Sequence, residues 1–111
     1  MAKVDQYRKL VKDILSEDAK IKPALGEIEP HLVFDDDRNS YQLMYIGWDR
    51  SGRTHGVVIH VRLRDNKIWI EYDGTQDGFA THLLEAGVPK EDIVLAFHAP
   101  RMRQYTGFAV A

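Results

Sequence analysis

The chain has 111 residues, 44% of them apolar and 29% charged, with fifteen basic residues against seventeen acidic and a net charge of −2. That is the length of one domain and a globular composition, so a disordered or fibrous chain is excluded. The absence of cysteine excludes disulfides, thiolate metal centres and cysteine nucleophiles, and near-neutral charge means that any nucleic-acid face would have to be local.

No apolar run approaches the ~20 residues of a membrane span, and the N-terminal segment is charged and amphipathic rather than a signal peptide. A cytoplasmic, non-membrane protein is expected. Val4, Tyr7, Leu10, Val11, Ile14 and Leu15 recur at steps of three and four, which predicts a helix over residues 3–18. Pro23 and Gly26 end any helix beyond it.

A β region follows. Ile28, Leu32, Val33 and Phe34 make a strand placed at a sheet edge by Pro30, and Asp35 to Asn39 form a turn. Tyr41 to Trp48 is the second strand, with a loop from Asp49 to Arg53 after it. The next two strands form a hairpin from Val57 to Asp73, turning at Asp65-Asn66. Pairing outward from that turn sets Leu63 against Ile68, Val61 against Ile70, and Ile59 against Tyr72 on one core-facing side. The other side pairs Arg62 with Trp69 and His60 with Glu71. A five-residue loop before the hairpin sets Tyr41, Leu43 and Tyr45 against Val61, Ile59 and Val57. A four-residue loop would waste burial by setting Gln42 against Ile59.

A second helix runs from Thr75 through Ala86, capped by Thr75 or Asp77 and ended by Gly87 and Pro89. Pro89 to Asp92 reads as one tight helical turn. Ile93 to Phe97 is an unalternated apolar run of strand length, buried on both faces, and the tail from Arg101 is irregular or docked. The expected fold is thus α+β: an N-terminal helix, an antiparallel β-meander of about four strands, a second helix, then a short C-terminal strand and docked tail.

Chemistry-bearing residues are sparse. His55 and His60 lie five apart on one strand, which sends them to opposite faces, and His31, His82 and His98 are scattered. His60 with Glu71 and nearby Asp73 is the nearest approach to an acid–base group, but it lacks a nucleophile or metal and reads as a cross-strand ion pair. The run Asp35-Asp36-Asp37 lacks the alternating ligands of a calcium loop. No phosphate-binding, dinucleotide-binding or nucleophile-elbow motif occurs. The expectation is no catalytic residue, no metal and no cofactor.

Charge is unevenly spread, however. No acidic residue occurs from Ile93 to the end, where Phe97, His98, Arg101, Met102, Arg103 and Tyr105 cluster. Arginine among aromatics is the composition of a protein interface. Arg50, Arg53, Arg62 and Arg64 form a second basic group, the alternative being a direct nucleic-acid contact.

In matching order, the Tyr7–Val11–Leu15 helix, Tyr41-Gln42-Leu43, Gly47-Trp48-Asp49, the His60 strand, Lys67-Ile68-Trp69-Ile70, Thr75-Gln76-Asp77-Gly78 and Gly87-Val88-Pro89-Lys90 to Phe97-His98 resemble the XisI family, the fdxN element excision controlling factors. The resemblance spans nearly the whole chain. It implies a non-enzymatic accessory role in programmed excision of a DNA element in cyanobacteria. It also implies a XisH-like protein partner, itself similar to nucleases; the near-neutral net charge makes any DNA contact indirect or weak. A second copy of the chain is the other partner considered for Ile93–Tyr105. The resemblance brings no catalytic residues with it.

Overall fold

The computed structural model describes residues 2–21, 27–76 and 78–111. Helix α1 spans Lys3–Ala19, strands β1 Glu27–Asp35, β2 Ser40–Asp49, β3 Gly52–Arg64 and β4 Lys67–Asp73 follow, and then come helix α2 Phe79–Glu85 and strand β5 Ile93–Leu95. A 3-10 turn at Lys90–Asp92 precedes β5 and another at Pro100–Tyr105 follows it. The strands form one sheet in the order β1-β2-β3-β4-β5, antiparallel except for the β4–β5 pair. The expected α+β class and element order are therefore present. Among the described residues, no helix is long and apolar enough to cross a membrane. Pro23, Gly26 and Asp77 lie outside the described residues.

Both helices cover one face of the sheet. Tyr7, Val11 and Leu15, one helical face at i, i+4 and i+8, pack on Tyr41, Leu43, Ile59 and Val61, and α2 adds Phe79 and Leu83. Helix α2 ends as Gly87 implies. Its φ is 96°, the Gly87 N–H donates to the Leu84 carbonyl at 3.0 Å, and the Val88 N–H donates to Leu83 at 3.0 Å. That is a Schellman termination, with Val88 buried against the core. At the hairpin, Asp65 and Asn66 both take positive φ, 54° and 60°, as a type I′ turn requires.

Two β-bulges change the expected register. β2 and β3 are joined by a two-residue turn, Arg50-Ser51, with Asp49 opposite Gly52, rather than by a five-residue loop. Asp49 closes that turn by accepting from the Ser51 N–H at 2.8 Å. Val58 is then an extra residue between the pairs Met44–Val57 and Leu43–Ile59. The bulge restores the expected Tyr41–Val61 and Leu43–Ile59 pairs and leaves Tyr45 opposite Gly56, not Val57. Glu71 is a second extra residue, so His60 faces Tyr72 rather than Glu71, and Ile59 faces Asp73 rather than Tyr72. A bulge reverses the side of every residue beyond it. Tyr72 therefore leaves the core side, and the Asp73 carboxylate turns toward α2.

That turn explains how α2 begins. Asp73 accepts from the Phe79 N–H at 2.5 Å and the Thr75 N–H at 2.9 Å, and the Thr75 hydroxyl accepts from the Gly78 N–H at 3.2 Å. The helix starts at Phe79 instead of Thr75 because Asp73, Thr75 and Gly78 are spent on these capping bonds. β5 stops at Leu95, so Ala96 and Phe97, expected to belong to this strand, lie beyond its end.

Candidate functional site

The C-terminal segment leaves the sheet and comes back to it. Ala96 donates its N–H to the Ile70 carbonyl at 2.9 Å, and His98 turns the chain by donating to Leu95 at 3.1 Å. Pro100 starts the 3-10 turn, the fixed φ of proline suiting its first position. The Thr106 hydroxyl donates to the Arg103 carbonyl at 2.8 Å and accepts from the Phe108 N–H at 3.1 Å, closing the far side. Ala109 then donates to the Ile93 carbonyl at 2.9 Å and forms a parallel bridge with Val94. Residues 96–108 are thus a loop anchored at one end on β4 and at the other on β5.

Anchoring leaves apolar side chains outside. Tyr105 is 76% exposed, Phe97 49% and Met102 47%. His98 lies against Phe97 with ring centroids 4.7 Å apart, and Arg101 is exposed. Arg103 behaves differently from its neighbours. Its Nε donates to the His98 carbonyl at 3.1 Å, its Nη2 to Ala96 at 3.2 Å, and its guanidinium lies 5.6 Å from the Trp69 ring. Of the six clustered residues, five point outward and Arg103 holds the loop to the sheet. The arrangement offers aromatic and thioether anchors beside Arg101 on a stretch without a negative side chain, the makings of a protein-binding surface.

The second basic group does not gather into one place. Arg50 sits in the β2–β3 turn, Arg53 lies 5.5 Å from the Trp48 ring, Arg62 is 3.8 Å from Glu71, and Arg64 covers Trp69 at 4.9 Å. Arg53, Arg62 and Arg64 are spread along β3, on the face of the sheet away from the helices. Glu27 and Glu29 stand on the same face.

His60 faces away from the core with its Nε2 2.9 Å from the Ser40 hydroxyl. Burial pushes the imidazole below its ordinary value despite Glu71 and with some help from Arg62, so it stays neutral near pH 7. The Val58 bulge brings His55 to the same face as His60, contrary to the simple alternation. Their β2 partners, Ile46 and Gln42, are nevertheless about 14 Å apart along the strand. No three His, Asp or Glu side chains converge to hold a metal ion among the described residues.

One cleft was not foreseen from the sequence. About 410 Å³ in volume, it opens between the end of α1, α2 and the sheet, with Leu43, Tyr45, Val58, Thr75 and His82 on its walls. His82 Nδ1 is 3.9 Å from Asp18 Oδ1 there, an ion-pair separation rather than a hydrogen bond. Only the fold brings these residues together, and no periodicity or motif in the chain marks them.

The comparisons agree with this architecture. A XisI-like protein from Anabaena variabilis is 39% identical, and the alignment covers 97% of this chain and 99% of that one with a TM-score of 0.87. The fdxN element excision controlling factor XisI from Anabaena variabilis is 32% identical, covering 99% and 100% with a TM-score of 0.83. No curated protein matches the chain. The family described as XisI protein matches residues 1–110, and the chain belongs to that family.

Proposed function

We propose that the chain is a non-enzymatic controlling factor in programmed excision of a DNA element, and that it acts by binding a XisH-like protein. Family membership and the fdxN element excision controlling factor from Anabaena variabilis support the excision role. The observation that carries the mode of action is the anchored loop, which presents Met102 and Tyr105 to solvent beside Arg101 in a segment without acidic residues. An aromatic anchor flanked by arginine contributes about 2 kcal/mol or more once desolvated, which rim charges alone do not.

The test is co-expression with the XisH-like protein and size-exclusion chromatography of the pair. Arg101→Ala and Tyr105→Ala keep the thermal midpoint and weaken the complex by about tenfold or more each. If both variants are folded and bind with unaltered affinity, the loop is structural. The alternative is direct DNA contact through Arg50, Arg53, Arg62 and Arg64. It receives less support because Glu27 and Glu29 share the face on which three of these arginines stand.

A further inference from the structure

The face of the sheet away from the helices is covered on one side only. The Pro100–Tyr105 turn lies over β4 and β5, where Arg103 stacks on Trp69. The neighbouring face of β1, β2 and β3 is open among the described residues. Pairing orders it into three rows, level by level. Glu27, Trp48 and Arg53 lie side by side, and Glu29, Ile46 and His55 do the same two residues along. Met44 continues the middle row between His31 and Val57. At the Trp48 and Ile46 levels one flank therefore carries Glu27 and Glu29, the midline is apolar and the other flank carries Arg53 and His55. Trp48 on that midline is 60% exposed.

We infer that this face binds a second copy of the chain, in a two-fold dimer whose axis runs along β2. A rotation about that axis exchanges left and right while keeping each level. It lays the Glu27 and Glu29 row of one copy over the Arg53 and His55 row of the other, twice over, and sets Met44, Ile46 and Trp48 on their own equivalents. The other two-fold in the plane, running across the strands, would set glutamate over glutamate. Two sheets stack face to face at about 10 Å with a modest crossing angle, a spacing that side chains of this size fill. A closed two-fold contact uses the same patch on both copies, so the three-row order is self-complementary. The C-terminal turn sets the limit of the contact: it covers β4 and β5 and leaves β2 as the midline of what is open.

The experiment uses full-length protein and charge reversal. Wild type sediments at the mass of two chains at about 100 µM or below, and the dimer weakens with salt. Glu27→Arg sets arginine over arginine in its own dimer, and Arg53→Glu sets glutamate over glutamate, so each alone self-associates about tenfold more weakly. An equimolar mixture of the two variants has opposite charges facing at both flanks and recovers the dimer. Neither change needs the fold to adjust, because both side chains are exposed. Ile46→Glu, in the apolar row, gives monomer that no mixture rescues. A wild type that stays monomeric at that concentration, or a mixture no better associated than either variant alone, overturns the inference.

Discussion

The Tyr7 hydroxyl donates a hydrogen bond to the Asp92 carboxylate across 85 residues of chain, joining the first helix to the turn before the last strand. Lys3 completes the cluster with its ammonium 2.7 Å from Asp92 Oδ2. Asp92 is buried, yet its two partners satisfy it from α1. Tyr7→Phe and Asp92→Asn each destabilise the fold by about 1–3 kcal/mol, the first by taking one donor from the buried carboxylate and the second by removing the charge that Lys3 and Tyr7 compensate. Chemical denaturation measures the difference.

The pH dependence of that cluster follows from its charges. Burial pushes the Asp92 carboxyl up, but Lys3 and Tyr7, aided by the Lys67 charge, outweigh it and hold the group below the usual carboxylate range. In the unfolded chain the same group titrates near 3.9. The unfolded state therefore binds the extra proton first, and the stabilisation, complete above about pH 5, is lost as pH falls through the depressed native value. The midpoint gap between wild type and Asp92→Asn should be widest near pH 7 and close in acid. At the other extreme, burial and the bond to Asp92 push the Tyr7 phenol above its usual range, so the fold weakens in strong base.

Gly47 permits β1 to lie where it does. A Cβ at this position would stand 1.9 Å from the Glu27 carbonyl oxygen, a clash with backbone that no rotamer relieves. Gly47→Ala is expected to cost about 2–3 kcal/mol. Faster amide exchange concentrated in Glu27–Leu32, with β3 and β4 unchanged, is the local signature.

Arg103→Ala removes the guanidinium from Trp69 and two donors from the Ala96 and His98 carbonyls. The expected loss is about 1–2 kcal/mol. Its effect should be regional: faster proteolysis of the loop at residues 96–108 and a red-shifted Trp69 emission, with helical circular dichroism retained. Arg101→Ala, whose side chain is exposed, leaves all three unchanged.

DNA affinity of the purified protein should be weak and steeply salt-dependent, because a net charge of −2 leaves only local arginines to displace counterions. Fluorescence anisotropy with a labelled duplex, repeated across salt concentrations, is the measurement. Magnesium-dependent cleavage of the same duplex should be absent, and cleavage abolished by a single carboxylate substitution would contradict the non-enzymatic proposal.

Local rules made much of this fold legible in the sequence. Periodicity gave α1 to within a residue, Gly87 marked the end of α2, and Asp65-Asn66 fixed the innermost pairs of the β3–β4 hairpin. What escaped were the bulges at Val58 and Glu71. Alternation of apolar residues holds only while two strands advance in step, and neither Val58 nor Glu71 is a residue type that announces an insertion. Each error in register, and the wrong placing of His55 and His60, follows from those two positions. The clustering of Phe97, Met102 and Tyr105 could be read from composition. The role of Arg103 could not, because Trp69 is remote in sequence.

The sheet has two edges, and the chain treats them differently. The β5 edge is closed by Ala109, which bridges Val94. Among the described residues nothing bridges the β1 edge, but it contains Pro30, which has no N–H to offer, with the charged Glu27 and Glu29 just before it. An incoming strand meets a missing donor and two negative charges where it would need an unbroken ladder. Growth by edge addition, the route from a twisted sheet to a fibril, is therefore blocked at one side by the molecule's own tail and at the other by a single imino acid. Pro30→Val would leave the native fold intact and shorten the time this protein stays clear of aggregates when concentrated and warmed.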